Sequence, residues 1–561
     1  MRNVLLGLAA AVGLSAGAAE TKIVSFAWEW ARTTPAELLE LQPQIAAAGI
    51  DGVNVAVTAK TPQGAELTYR TIMQAPKWEY AYFADQLPLL RRLTKMDGLR
   101  ESYLSAFRMP EKRFSWTDDA EWKLAAENIR VIARLAKEAG FAGLVIDHED
   151  YPKQKQFFRR PGDPEMKDLV RIARRRGRET FAPVFEEFPD VKLLFFWFMS
   201  ENRNAFDARN PLKAAVHGES LWPFFANGIL DAMTPDARII DGNETSYAYR
   251  SEDFEYHVGT QKIRKDGIGL ALPENRETYR TKVLAGSALY LEQYVQTNTA
   301  SMFYRPPHLG TRLGTFQRDL RQAMESSDGT IWFWSEKTPL VRRDEATRSR
   351  ATGGIKYWWD NVWGNPTMEE RLPGFGGVIR ALRDPGRFLQ DDLPRMIAAG
   401  KVTNLVADGG VAVKDGDPEK CPSPFDSWQE VPKGGTAGTF SVDPKVGCAA
   451  PPCVRVRGVS NGCLIYRIKV RPAEIYAIRV RLNCTSGGFG ADVGWTRQGA
   501  HRFYVPKQAL DFGAPDAHGW RTGTAIVTVP EGVDGGNLYI SGLQGPDDEF
   551  RVDDLEVYRL Y

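Results

Sequence analysis

From residue 21 to about residue 383, short apolar segments alternate with amphipathic stretches, and this alternation restricts the fold more than any other feature. Several segments are near-continuous runs of Val, Ile and aromatic residues, as expected for strands covered on both faces. Eight such strands predict an α/β fold, a parallel (β/α)8 TIM barrel, with an open doubly wound sheet as the alternative. The predicted strands are 23–30, 52–57, 102–107, 143–147, 192–199, 237–241, 301–305 and 330–334.

Helix signals fill the intervals between these strands. Thr34 is followed by Pro35 and Glu37, which gives an N-cap, a proline in the first turn and a carboxylate at the positive end. A second helix is predicted over 118–139 and ends at Gly140. No Gly-x-Gly-x-x-Gly opens the first helix, so a dinucleotide-binding fold gains no support.

The composition changes after about residue 400, where Gly and Pro become frequent and helical periodicity ends. Short alternating segments then predict a β-sandwich over 401–561, following a barrel domain over 20–400. The predicted strands of the sandwich are 453–459, 464–470, 476–482, 525–529, 538–541 and 550–558.

The N-terminus has the pattern of a signal peptide over residues 1–19: Arg2, then an apolar run over 4–14, then the small residues 16–18. We therefore expect a secreted or periplasmic protein, in which the five cysteines, all beyond residue 420, can oxidise. No later run is long enough to span a membrane. With Lys+Arg 72 against Asp+Glu 71, no net charge favours nucleic acid as a partner.

The fourth predicted strand carries the strongest chemical signal, because it ends in Asp147-His148-Glu149. Side chains two apart on a strand share a side, so Asp147 and Glu149 should both face the barrel mouth. Two close carboxylates cannot both ionise cheaply, and one that stays protonated can protonate a leaving glycosidic oxygen. This makes Glu149 the predicted general acid and Asp147 its tuning partner. The alternative is that both merely cap a helix or hold loops.

This segment resembles the fourth-strand signature of chitinase-like family 18 glycoside hydrolases, Asp-Gly-x-Asp-x-Asp-x-Glu followed by an aromatic residue. Gly143, Asp147 and Glu149 match it, whereas Ala142 and Val145 replace two of the aspartates. The resemblance implies a barrel hydrolase with Glu149 as its acid.

Other polar and aromatic residues follow predicted strand ends. Glu244 and then Glu336 are the first choices for the second catalytic carboxylate, acting as nucleophile or base. Residues expected to contact sugar are Trp28, Trp30, Asp241, Tyr247, Tyr304 and Trp334. With six histidines and no His-Glu-x-x-His, paired Cys-x-x-Cys or Gly-x-Ser-x-Gly, we expect no catalytic metal, no cofactor and no serine nucleophile.

The last strand of the sandwich contains Asp553 and Asp554. Together with Trp520 and the turn at Pro530 and Gly532, it resembles the jelly-roll carbohydrate-binding modules attached to many exported glycosidases. The resemblance implies a carbohydrate-binding domain, with structural calcium possible at the acidic positions. The alternative is a purely structural sandwich that braces the barrel.

These features together predict an exported glycoside hydrolase that acts on a polysaccharide or oligosaccharide. A non-catalytic polysaccharide-binding protein on an inactive barrel is the main alternative, and the apolar residues Ala142 and Val145 favour it modestly. A polysaccharide lyase or esterase is a third possibility with little positive support.

Overall fold

The computed structural model describes residues 21–561, and its two compact units are each described by themselves. The first unit extends to Arg305 and includes Arg318–Gly376, and the second contains Pro306–Gln317 and Gly377–Tyr561. The predicted signal peptide at 1–19 lies outside the described residues. Also outside them are 31, 75, 109–111, 151–154, 302, 308–310, 345–353, 407–410, 412–420, 432, 473, 485–487, 498–506, 531, 544 and 546.

The first unit contains the predicted parallel barrel. Its strands are β1 (Lys22–Ser25), β2 (Gly52–Val55), β5 (Tyr103–Arg108), β6 (Gly143–Asp147), β7 (Lys192–Phe195), β8 (Arg238–Asp241), β9 (Val283–Ala285), β10 (Ser287–Tyr290) and β11 (Thr330–Trp334). A small antiparallel hairpin, β3 (Thr58–Lys60) with β4 (Glu66–Thr68), follows β2.

Helices stand between the strands as the alternating pattern predicts. They are α1 (Pro35–Ala47), α2 (Leu87–Leu93), α3 (Asp119–Ala139), α4 (Met166–Glu187), α5 (Pro211–His217), α6 (Trp222–Ala232), α7 (Glu255–Lys265), α8 (Arg276–Lys282) and α9 (Arg312–Ser326). Thr34 caps α1 with a complete capping box to Glu37, and Gly140 caps α3, as the sequence predicts. Further helices cover Gly354–Trp358, Met368–Arg371, Phe375–Arg383, Pro385–Arg387 and Leu393–Ala398.

The seventh barrel strand is not where the sequence placed it. Residues 301 and 303–305 form turns and irregular chain rather than a strand, and residue 302 lies outside the described residues. The strand is instead the run β9–β10, divided at Gly286: β9 pairs with β8, and β10 pairs with β11. Because β11 also pairs with β1, the sheet closes into a barrel of eight strand positions. The division at Gly286, directly after α8 and without a loop, hides this strand from a periodicity search.

The barrel interior is filled by side chains from alternating strand positions. Phe26, Phe196 and Trp332 are among its largest members, and Phe196 and Trp332 stack with ring centroids 4.6 Å apart. The remaining members are Val24, Tyr103, Val145, Leu194, Ile240 and Ala288. The barrel is therefore a packed core whose upper layer can act as the floor of a cavity.

Outside the barrel, α4 and α6 pack with their backbones almost touching. A methyl group at Gly177 would lie 1.9 Å from the Phe225 carbonyl oxygen, and one at Gly228 would lie 1.9 Å from the Arg174 carbonyl oxygen. Only glycine permits this approach, because no real Cβ atom lies so close to a backbone oxygen.

The second unit contains a sandwich of two antiparallel sheets, in agreement with the prediction. One sheet has the order β12 (Asp426–Gln429), β15 (Gly462–Lys469), β21 (Gly535–Leu543), β17 (Gly488–Thr496), β18 (Gln508–Ala509). The other has the order β13 (Thr439–Asp443), β14 (Cys453–Arg457), β22 (Glu549–Arg559), β16 (Ile475–Cys484), β20 (Trp520–Thr528), β19 (Asp511–Phe512). Residues alternating along both sheets form one apolar core between them.

The sandwich gives no direct support to a structural metal ion. The Asp553 carboxylate accepts hydrogen bonds from the backbone N–H groups of Cys448 and Asp554. Among the described residues, no group of three or more His, Cys, Asp or Glu side chains is arranged to hold a metal. Cys448, Cys453 and Cys463 are free thiols. Carbohydrate binding by the sandwich stays a prediction.

In the described part of the chain, no helix has both the length and the apolar character of a membrane span.

The close packing of α4 and α6 generates a stability prediction. Gly177→Ala places a methyl group against backbone, so the unfolding free energy should fall by about 1–3 kcal/mol or more in urea denaturation. Gly218→Ala is the matched control, since its methyl group would lie 3.5 Å from the nearest atom at a backbone φ of −80°. Equal stability of the two variants would contradict the packing argument.

Candidate functional site

A cavity of about 520 Å³ lies at the carboxyl ends of the barrel strands. Its lining combines four carboxylates, a group of aromatic side chains and a smaller set of neutral or cationic polar groups. The lining residues are Phe26, Ala27, Trp28, Asn54, Tyr69, Arg70, Ser105, Val145, Asp147, Glu149, Phe196, Glu244, Tyr247, Tyr290, Phe303, Trp334, Glu336, Tyr357 and Trp358.

The end of β6 places two acids in this cavity, as the sequence predicts. Asp147 and Glu149 both line it, and the Glu149 backbone N–H donates to Asp147 Oδ1 at 3.3 Å. His148 points the other way: it is buried, stacks on Trp222 at 3.8 Å and has its Nε2 3.0 Å from Glu201 Oε2. Successive side chains of an extended chain point to opposite sides, so the two acids face the cavity and the histidine between them does not.

Glu244 is the carboxyl group most perturbed by this environment. The chain turns at Asn243, in the left-handed region at φ 50°, and brings Glu244 to the cavity after β8. Burial, followed by the charges of Glu149 and Asp147, raises the pKa of Glu244 from 4.5 to about 9. Glu244 Oε2 is buried and meets no hydrogen-bond partner among the described residues. Glu244 is therefore a neutral acid at pH 7.

Tyr247 stands beside this acid. Its hydroxyl is buried next to the Glu244 carboxyl, and a side-chain interaction with Tyr247 lowers the pKa of Glu244 by less than burial raises it. Burial together with the Glu244 charge raises the pKa of Tyr247. Glu244 and Tyr247 are thus two adjacent buried polar groups that line one cavity and can bind a polar ligand.

Glu336 is held at the opposite rim by a second acid. Glu292 Oε1 accepts hydrogen bonds from the backbone N–H groups of Glu336, Lys337 and Thr338 at 2.8–3.1 Å. It also accepts from the Ser335 hydroxyl. Burial and the charge of Glu292 raise the pKa of Glu336. The loop after β11 is thus fixed by an anion that does not itself line the cavity.

Aromatic side chains occupy the wall contributed by the first, seventh and eighth strands. Trp28 and Trp334 line the cavity, and Trp358 packs edge-on to Trp28 with ring centroids 6.2 Å apart. Phe303 and the exposed Tyr357 extend the same wall. Such flat apolar surfaces are suited to the apolar faces of sugar rings.

Three predicted contact residues lie outside this cavity. Trp30 is fully buried and donates from its indole nitrogen to Ser25 Oγ, because β1 ends at Ser25 and the chain continues as a 3-10 turn. Asp241 is also fully buried and accepts from the Ser200 backbone N–H and hydroxyl. Its neighbour Ile240 belongs to the barrel interior, so Asp241 must face outward. Tyr304 does not line the cavity, and Phe303 does.

Several cavity residues escaped prediction. Asn54 and Ser105 are single polar residues inside otherwise apolar strands, and this interruption is the signal that could have identified them. Tyr69 and Arg70 follow the β3–β4 hairpin, and nothing in their local sequence indicates that they approach the barrel mouth. Tyr290 belongs to the divided seventh strand and was lost with it.

Glu29 follows the first strand and forms hydrogen bonds to segments that follow the eighth strand. It is 1% exposed, and its Oε1 accepts from the Leu340 backbone N–H at 2.7 Å. Its own carbonyl oxygen accepts from the Trp363 indole at 3.1 Å. Burial raises the pKa of Glu29 from 4.5 to about 8, so the folded chain holds this group as a neutral acid at pH 7.

Comparison with known proteins gives little. No family model and no curated protein sequence matches this chain. Among solved structures, the paired carbohydrate-binding and catalytic modules of Clostridium thermocellum xylanase 10B match at 14% identity and a TM-score of 0.20, over 24% of this chain and 26% of that one. A xylan-binding domain from Paenibacillus barcinonensis matches at 11% identity and 0.20, over 26% and 97%. A cyclase from Fischerella matches at 14% and 0.20, over 28% and 96%. Matches at these scores carry no information on activity.

Glu29 generates a prediction about stability and pH. Its folded pKa is raised, so its contribution is full below pH 4.5 and is lost as the pH rises through about 8. Between these two pH values folding takes up one proton. The unfolding free energy therefore falls by up to about 1.4 kcal/mol for each unit by which the pH rises. Glu29→Gln keeps an oxygen for the Leu340 N–H and removes this slope. Urea denaturation from pH 5 to 8 should therefore show the variant gaining stability relative to wild type.

The matched control for this measurement is Glu40→Gln, the same exchange at an exposed position of α1. It should keep the wild-type slope. Parallel curves for wild type and Glu29→Gln would show that Glu29 does not bind a proton on folding.

Proposed function

We propose that this protein is a glycoside hydrolase that cleaves O-glycosidic bonds of a polysaccharide or oligosaccharide by carboxylate acid–base chemistry. The observation that carries the proposal is the Glu244 carboxyl, held neutral beside Asp147 and Glu149 in a cavity with an aromatic wall. Hydrolysis of a glycoside needs one proton donor and one ionised carboxylate on the two sides of the scissile bond.

In this proposal Glu244 is the general acid. A pKa of about 9 keeps its proton in place at neutral pH, and the proton can pass to the leaving glycosidic oxygen. The sequence favoured Glu149 for this role. The burial of Glu244 and its position beside two other carboxyl groups support the reverse distribution.

Glu149 is then the second carboxylate, with Asp147 as its neighbour on the same strand. It acts either on the anomeric carbon as a nucleophile or on a water molecule as a base, and proton NMR of the first product anomer distinguishes the two. Glu336, at the opposite rim, is the remaining candidate for this second role.

Sugar binding follows from the two kinds of wall. Trp28, Trp334 and Trp358 offer flat surfaces to the apolar faces of sugar rings, and the Tyr247 hydroxyl and Glu244 Oε2 offer buried polar atoms to the sugar hydroxyls. The Phe26, Val145 and Phe196 side chains close the floor. Val145 occupies one of the motif positions that is aspartate in the family 18 signature, so an N-acetyl-assisted mechanism has no support here.

The proposal predicts the effect of removing each carboxylate. Glu244→Gln and Glu149→Gln should each lower kcat/KM by about 100-fold or more, measured as reducing ends released from a panel of polysaccharides. Wild type should lose activity as the pH rises through about 9, since Glu244 then gives up its proton. Glu40→Gln, at an exposed position away from the cavity, should behave as wild type.

The same experiment separates the alternatives. Saccharide binding by wild type without release of reducing ends would favour the non-catalytic binding protein. Full activity of Glu244→Gln would show that Glu244 is not the general acid. If that activity depended on Glu149, Glu149 would be the general acid.

We also propose that the chain is exported, on the basis of the signal-peptide pattern over residues 1–19. Expression of the full chain in a Gram-negative host should deliver periplasmic protein whose N-terminal sequence begins at Glu20. Cytoplasmic protein retaining residues 1–19 would contradict export.

A further inference from the structure

The cavity has two chemically different sides. The aromatic wall comes from the first, seventh and eighth strands and the segments that follow them. The second and third strands and the β3–β4 hairpin contribute a polar wall, which consists of Asn54, Ser105, Tyr69 and Arg70. A ligand that fills the cavity therefore meets flat apolar groups on one side and hydrogen-bonding groups on the other.

Arg70 is the cationic side chain of the polar wall. Among the described residues that line the cavity, no other is Lys, Arg or His. Its Nε donates to the Tyr69 hydroxyl at 3.2 Å, and its guanidinium carbon lies 5.8 Å from the Tyr69 ring centroid. These contacts use one of its five N–H groups, and Arg70 forms no ion pair with any described residue. Most of its donors are therefore free for a ligand.

Some other arginines of the same unit are instead paired with carboxylates of the protein. Arg113, for example, forms a two-bond pair with Asp163 at 2.8 and 3.0 Å, and Arg174 forms one with Asp231. An arginine beside a cavity that contains four carboxylates, yet paired with none of them, retains its full charge for an external partner.

Asn54 supplies a second, independent observation on the same wall. Its Oδ1 is buried and has no hydrogen-bond partner among the described residues, while its Nδ2 lies 3.5 Å from Ser105 Oγ. A buried amide oxygen without a donor is costly unless a ligand supplies one. Asn54 Oδ1 can therefore accept a hydrogen bond from a ligand, and the Arg70 guanidinium can bind a negative charge. A sugar with hydroxyl groups and an anionic group supplies both.

We propose that the substrate is an acidic saccharide, whose carboxylate or sulfate group binds to the Arg70 guanidinium. This inference rests on the proposed function, because it names the substrate class of the same cavity. An oxyanion with two accessible oxygens matches the fork of a guanidinium. The carboxylates elsewhere in the cavity repel an anion, so the charged ring binds in one register only, beside Arg70. Arg70 is accordingly a specificity residue rather than a catalytic one.

The test measures binding by the full chain carrying Glu244→Gln, which slows turnover. The panel pairs each acidic oligosaccharide with a neutral counterpart of the same backbone: oligouronates with their methyl esters, and sulfated galactan oligosaccharides with their desulfated forms. Calorimetry should show the charged member of at least one pair binding about tenfold tighter or more. The pair that shows this preference identifies the anion as carboxylate or sulfate.

Arg70→Met, added to the same chain, should remove that preference while leaving the affinity for the neutral member within about twofold. Arg70→Lys should restore only part of it, because lysine keeps the charge and loses the fork. Lys60→Met removes an exposed cation of the same hairpin that does not line the cavity, and should change nothing.

Failure of this inference is distinguishable from failure of the proposed function. Equal binding of charged and neutral members, or an equal loss of both in Arg70→Met, overturns the acidic substrate, while release of reducing ends by the wild type keeps the hydrolase. No binding of any saccharide together with no cleavage overturns both.

Discussion

The site depends on the hydrogen-bonded closure of the parallel sheet through β11. This strand pairs with β1 on one side and with β10 on the other, so the carboxyl ends of all the strands converge on a single rim. Asp147, Glu244 and Glu336 are far apart in sequence, and only this closure makes them neighbours of one cavity. The divided seventh strand, which supplies β10, is therefore as important to the chemistry as the strand that carries the acids.

The meeting of the strand ends at one rim does not by itself give the carboxylates different roles. Their different burial and neighbouring charges do so. Glu244 is almost enclosed and lies near two other acids, so its protonated form is favoured. Glu336 is less enclosed, and burial followed by the charge of Glu292 raises its pKa. Differential burial is a general means by which one fold obtains both an acid and a base at the same pH. Here the packed aromatic layer of Phe26, Phe196 and Trp332 supplies the low-polarity floor that burial requires.

The sequence predicted the parts of this structure that depend on local periodicity. The strand bounds of β6 and β11 agree residue for residue with the prediction, and the opposite orientations of Glu149 and His148 follow from the two-residue repeat of a strand. It failed where a local pattern was interrupted. Gly286 divides the seventh strand, and Trp30 lies beyond the true end of β1. The prediction for Asp241 did not take the orientation of its neighbour into account. Ile240 faces the barrel interior, so Asp241, the next residue of the strand, faces outward.

What the sequence could not give was the effect of distant segments on one another. The raised pKa of Glu244 arises from burial and from the charges of Glu149 and Asp147, about 100 residues away in the chain. Arg70 reaches the cavity from the segment after the β3–β4 hairpin, which has no distinctive pattern. Asn54 and Ser105 lie between these cases. Each is a polar residue at an inward position of an apolar strand, which is readable only once the barrel interior is known.

The Glu292 carboxylate has a consequence for how this barrel could diversify. One oxygen accepts from three successive backbone N–H groups and a hydroxyl, so the loop after β11 takes its shape from an acid on a different segment. Main-chain donors do not depend on side-chain identity, so these hydrogen bonds do not require a particular side chain at residues 336–338. Transfer of this loop into a related barrel would keep its shape only if the recipient also carried the Glu292 carboxylate. We therefore expect the loop after β11 and the segment that contains Glu292 to be inherited together.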